Sequence, residues 1–163
     1  MTRRIIALPV AVAATAVTCA LVLWPGAGAA TSRTQTLRLY DKPVSIKVTH
    51  ADGSVVTHAP YPEVKPGDTL DVNSLVYRGD HAHHPKHWTG SGHLRCEFGA
   101  GGPPSCESHV AIGGSILIFT GNPGKLSNGT GIYQGATGRV ISSKDVPGED
   151  NASDIVAKIK LHA

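Results

Sequence analysis

The stretch Ser127-Asn128-Gly129-Thr130-Gly131-Ile132-Tyr133-Gln134-Gly135-Ala136-Thr137-Gly138-Arg139-Val140 decides how the rest of the chain is read. A flexible linker would not set its glycines among Ile, Tyr, Thr and Val. The pattern predicts a tight turn into a strand, with Gly129 and Gly131 available for positive φ. Gly135 and Gly138 would let backbones approach closely at a bend.

Outward from this stretch the same grammar recurs. Helical periodicity is nearly absent, and short alternating runs are punctuated by Gly, Pro, Asn and Asp. Val44, Ile46 and Val48 alternate with Ser45, Lys47 and Thr49, and Asp52-Gly53 then offers a hairpin turn before Val55-Val56. A proline-rich connector from Pro60 to Pro66 ends in Gly67-Asp68 and leads into a strand from Thr69 to Arg78. Ile116 to Phe119 reads as a strand buried on both faces or nearly so. Near the end, Ile155, Ala157, Ile159 and Leu161 alternate with polar residues as a half-buried strand. The class is all-β, a sandwich or a barrel.

At 163 residues, with 17% charged residues and a net charge of +3, the chain is one domain and too weakly charged for a typical nucleic-acid binder. Its 5% aromatic content also argues against a stacking platform for single strands. Arg3 and Arg4 precede an apolar run from Ile5 to Trp24, followed by Pro25-Gly26-Ala27-Gly28-Ala29-Ala30. This reads as a secretory signal peptide over residues 1–30, cleaved after Ala30, with no membrane attachment afterwards. An uncleaved anchor is the alternative, since the run is long enough to span a bilayer. The environment of Cys19 is a poor match to a lipoprotein signal. Cleavage removes two arginines, so residues 31–163 form a nearly neutral domain, expected outside the cell or in its envelope.

That domain keeps two cysteines, Cys96 and Cys106, and an even count in an exported chain predicts one disulfide. A free nucleophilic thiol is the alternative. If the two are bonded across an antiparallel hairpin, the register follows: Arg95 opposes Glu107, Leu94 opposes Ser108, and His93 opposes His109. Leu94, both cysteines, Val110 and Ile112 then share the core face, while the charged residues share the other. A bridge over so short a loop contributes on the order of 2–3 kcal/mol and staples the glycine-rich tip from Gly99 to Pro104.

The Ser127–Val140 stretch resembles the Gly-Thr/Ser-Gly-Ile-aromatic-x-Gly-x-x-Gly signature of the allene oxide cyclase and dirigent barrels. Gly67-Asp68 followed by Tyr77-Arg78-Gly79-Asp80, then Gly92-His93-Leu94-Arg95-Cys96 and Gly113-Gly114-Ser115, resemble further segments of that family. The resemblance covers Gly67 to about Leu161. It implies an eight-stranded antiparallel up-and-down barrel with an internal cavity for a small apolar molecule, commonly assembled as a homotrimer, with no cofactor. Enzymatic members are isomerases that cyclise a substrate held by cavity shape, with a carboxylate or bound water stabilising developing charge. Dirigent members orient radical intermediates while an external oxidase does the oxidation.

Laid on the family's first-strand motif, Gln35 to Asp41 places Asp41 where a glutamate stands, and Pro43 where an asparagine positions water. Tyr77 matches a family tyrosine that packs or lines the pocket. Asp41 and Tyr77 are therefore the candidate catalytic residues. A separate feature is the cluster of His81, His83, His84, His87 and His93, in which His81 and His83 would share a strand face and, with His87, are candidate metal ligands. Pro85 breaks regular geometry there and no third ligand sits at a zincin-type spacing, so a solvated loop is the competing reading. The second function class is accordingly a non-catalytic secreted binding protein that uses this loop for a metal or a partner. His93 with His109 forms an independent pair across the hairpin. Asn128-Gly129-Thr130 and Asn151-Ala152-Ser153 fit the N-glycosylation pattern, and the chain carries no P-loop, dinucleotide fingerprint or serine-nucleophile motif.

Overall fold

The computed structural model describes residues 32–162. The expected leader over residues 1–30, with Cys19, lies outside the described residues. The described chain forms β1 (Arg33–Thr49), β2 (Val55–Val56), β3 (Thr69–Arg78), β4 (Gly90–Glu97), β5 (Ser105–Ile112), β6 (Ser115–Thr120), β7 (Lys125–Gly129), β8 (Thr137–Asp145) and β9 (Ser153–Leu161). One 3-10 turn, Gly131–Tyr133, interrupts the strands between β7 and β8. From β3 onward each strand pairs antiparallel with the next, β1 pairs with β3, and β1 also pairs with β9. Eight strands therefore close into an up-and-down barrel, as the resemblance implies, and β2 only extends the far end of β1. Closure leaves the eight barrel strands without a free edge to template aggregation. Among the described residues no helix is long and apolar enough to cross a membrane.

The hairpin register deduced from the cysteines holds residue for residue: Cys96 opposes Cys106 and is bonded to it, Arg95 opposes Glu107, and His93 opposes His109. Two strands depart from what the sequence predicts. A bulge between Pro43 and Ser45 leaves Val44 unpaired and 61% exposed, so Val44 does not share the inward face of Val48. In β6, Leu117 and Phe119 are buried, whereas Ile116 is exposed and Ile118 half-buried. The expected strand buried on both faces is thus an ordinary barrel strand whose outward positions happen to be apolar.

In the glycine-rich stretch, Gly131 adopts the expected positive φ of 58°. Gly138 lies where a Cβ would strike the Lys158 carbonyl and meet Ile159 Cα at 3.0 Å, the anticipated close approach. Gly129 and Gly135 exchange their expected roles: Gly129 passes against the backbone of Tyr133, while Gly135 takes positive φ in open space. The result folds Tyr133, fully buried, across one end of the barrel. It packs there with Leu117, Leu126, Ile159 and Leu37. This end is filled by the protein's own side chains.

The opposite end carries the β1–β2 hairpin, the proline-rich connector and the β4–β5 tip, tied together by Asp68. This buried carboxylate accepts hydrogen bonds from Lys65 N at 2.8 Å, Ala51 N at 3.1 Å and His50 Nδ1 at 3.0 Å. Its own carbonyl accepts from Phe98 N, joining the tip to the turn. The Gly67-Asp68 motif is therefore a clamp for three loops.

Candidate functional site

Because only one end is plugged, the other half of the barrel is hollow. The cavity measures about 570 Å³, within the range of small-molecule sites. Its floor is the underside of the packed core, at Leu39, Val76, Val110 and Ala157; its mouth lies between Pro104 and the β6–β7 turn Gly121-Asn122-Pro123-Gly124. The Cys96–Cys106 disulfide forms part of the wall near the mouth. It fixes the shape of the opening as well as the register of the hairpin.

Asp41 reaches this cavity from β1. Strand alternation puts it on the inward face with Leu37 and Leu39, while Arg38, Tyr40 and Lys42 point outward. Ser74 of β3 hydrogen-bonds its carboxylate, and Gly92 of β4 faces the pair without a side chain of its own. A Cβ at Gly92 would stand 2.6 Å from Ser74 Oγ and 3.2 Å from Asp41 Oδ1, so only glycine leaves this corner open. Burial pushes the Asp41 carboxyl above its ordinary value, and the Ser74 hydrogen bond pulls against that rise. A carboxyl set in a mostly apolar cavity can hold a proton or stabilise positive charge there.

Tyr77 stands elsewhere. It opposes Tyr40 across β1 and β3 on the outer surface, with ring centroids 5.5 Å apart, and His84 packs on both rings at 4.7 and 5.0 Å. Tyr77 is not among the cavity-lining residues. The outer cluster is a clasp: Tyr40 donates a hydrogen bond to Glu149 Oε2 at 2.5 Å and Lys42 Nζ donates to the same oxygen at 2.9 Å. The β8–β9 loop is thereby drawn over Tyr40, where Val146 and Ala152 bury against it.

The histidines of the β3–β4 loop are also dispersed. His81 pairs with Asp154 at 2.6 Å, and this hydrogen bond raises its pKa. His83 pairs with Asp80 at 3.0 Å, and His87 is exposed. Among the described residues no three His, Cys, Asp or Glu side chains converge as a metal site would require. His93 and His109 do meet on the outer wall, edge to face with centroids 6.4 Å apart, but each leans toward its own carboxylate, Asp71 at 3.7 Å and Glu107 at 2.7 Å.

The cavity also holds polar side chains that reading the sequence did not assign to a site, Ser74 and Ser108 among them. A signal existed for both. Ser74 breaks the inward row Val72, Ser74, Val76, and Ser108 breaks the row Cys106, Ser108, Val110; a polar residue on an apolar face marks either a buried hydrogen bond or a site.

No family model matches the chain, and no curated protein does. Solved structures do match. Two pterocarpan synthase dirigent proteins are similar, one with a TM-score of 0.56 and 12% identity over 81% of this chain and 90% of its own length. The other has a TM-score of 0.52 and 11% identity over 81% and 95%. A pyocyanin demethylase is similar with a TM-score of 0.51 and 16% identity over 78% of this chain and 98% of its own. At these identities the barrel alone is shared, and this chain has the eight-stranded barrel fold of the dirigent proteins and of pyocyanin demethylase.

Proposed function

We propose that this protein, exported and freed of its leader, binds a small and largely apolar molecule inside its barrel and holds it in one orientation. The observation that carries this reading is the hollow half-barrel of about 570 Å³, with a wall of Leu, Val, Ile, Ala and Phe side chains and the Asp41 carboxyl set among them. Apolar walls supply affinity by excluding water, and a few fixed polar groups supply orientation. Ring closure or isomerisation in such a site would follow from enforced conformation, with Asp41 stabilising charge as it develops. The barrels of similar fold include a demethylase and two dirigent proteins named for a synthase, which supports a small-molecule role for the same cavity here. Assembly as a homotrimer is part of the same proposal.

The test is binding of the neutral dye N-phenylnaphthylamine, read by its fluorescence, to the native chain and to Ser108→Trp. Ser108 is half-buried on the cavity wall, so an indole there fills space that the ligand needs. Saturable binding to the native chain, weakened about tenfold or more by the substitution, is expected. Equal binding by a folded Ser108→Trp variant would sink the proposal. Native mass spectrometry of protein purified from its host reads the subunit number and any retained ligand together.

A further inference from the structure

Asp68 and Asp71 are buried and Asp41 is half-buried, and the three differ in one respect. Asp68 has His50 and two backbone N–H groups, and Asp71 has Lys47 at 3.3 Å, Arg95 at 3.5 Å and His93 at 3.7 Å. Asp41 has Ser74 alone. No lysine or arginine lines the cavity among the described residues, and the one other titratable side chain bordering it, His93, directs its imidazole to Asp71 and His109 on the outer wall. The neighbours of Asp41 from β1, β3 and β9 that share the cavity are Leu39, Ser74, Val76 and Ile155, and β4 contributes only the bare backbone of Gly92 at that corner. A carboxylate in such surroundings is costly unless a counter-charge reaches it. The open corner at Gly92 leaves one place from which that charge can come, the cavity itself.

Resting on the cavity reading above, we propose that the ligand is an apolar organic cation, an amine or an N-alkylated heteroaromatic ring, whose charge pairs with Asp41. The body of such a molecule fits the aliphatic walls, and Phe119, the one carbocyclic aromatic residue lining the cavity among the described residues, is available for a cation–π contact. Anionic ligands meet no cation here and face Asp41, so the site selects against them. Burial disfavours the charge of Asp41 in the absence of ligand, and an arriving cation restores it. A bound cation favours the ionised form, so affinity falls on acidification through the raised pKa of Asp41.

The experiment compares two dyes of nearly the same shape, N-methylacridinium and acridine, in a mildly alkaline buffer where acridine is neutral. Both are titrated into the native chain, Asp41→Asn and Ser108→Trp. N-methylacridinium is expected to bind the native chain about tenfold or more tightly than acridine, the worth of an ion pair shielded from bulk water, since its quaternary nitrogen has no N–H to donate. In Asp41→Asn that preference disappears while acridine binding stays within about twofold, which also shows the variant to be folded. Equal affinity for the two dyes, or a preference that survives Asp41→Asn, overturns the cation assignment and leaves the cavity reading standing. If neither dye binds, or Ser108→Trp does not weaken them, the cavity reading falls and the cation assignment falls with it.

Discussion

Asp41 and Asp68 are both withdrawn from water, and their surroundings push them in opposite directions. Asp68 is held below the usual carboxylate range, first by the Lys65 N–H and then by His50 and the Ala51 N–H. It therefore stabilises the fold above about pH 4, where the unfolded carboxyl is ionised, and that contribution is lost as the pH falls through its lowered folded value. Asp41 is raised by desolvation, so its penalty is absent in acid and grows as the pH climbs from about 4 through its folded value. The prediction is a crossed pair. Asp68→Asn is less stable than the native chain at neutral pH, and Asp41→Asn is more stable, with both differences shrinking in acid. Thermal unfolding midpoints across pH check it, and curves that shift the same way for both variants would refute the assignment. The sequence made Asp41 visible through its place in a family motif. It could not show that Ser74 and Gly92 complete its surroundings, because those residues lie on two other strands and meet it only once the barrel has closed.

At the scale of elements, legibility depended on how many unknowns a local rule left. In the β4–β5 hairpin a single assumed disulfide fixed the whole register, since antiparallel pairing has one free parameter. Bulges add a parameter that composition does not announce, and Val44 and the break between Val140 and Ser142 went unseen for that reason. The glycine-rich stretch predicted a turn and a close approach and misassigned two of its four glycines. The two kinds of glycine make a prediction. Gly138→Ala drives a methyl into the β9 backbone and should cost about 1–3 kcal/mol, as overpacking does. Gly135→Ala meets open space at a φ of 69° and should cost about 1 kcal/mol, the penalty of the left-handed region alone. Urea unfolding with unchanged slopes measures both, and a larger loss at Gly135 would contradict the close approach of β8 to β9.

For the whole molecule, what the sequence could not reveal was the division of the interior. Alternation tells which residues face inward, but whether they meet across the axis depends on closure, shear and the plug, none of which is a local property. Here the 3-10 turn and Tyr133 fill one end, so inward residues separate into a packed half and a hollow half although they lie on the same strands. Leu117 belongs to the packed half and is fully buried; Leu94 belongs to the hollow half and is partly exposed. Truncating Leu117 to alanine leaves a void within close packing and should cost about 2–4 kcal/mol of stability, with the affinity for N-phenylnaphthylamine nearly unchanged. Truncating Leu94 removes apolar surface from the ligand wall, where space already exists. Its stability cost should stay below about 1 kcal/mol, while dye affinity falls several-fold, in proportion to the apolar area the wall no longer offers. If the interior were one continuous core, both variants would lose stability together and neither would act on binding alone. The double dissociation, measured by unfolding and dye titration on the same samples, decides whether this barrel is built as a plug beneath a cup.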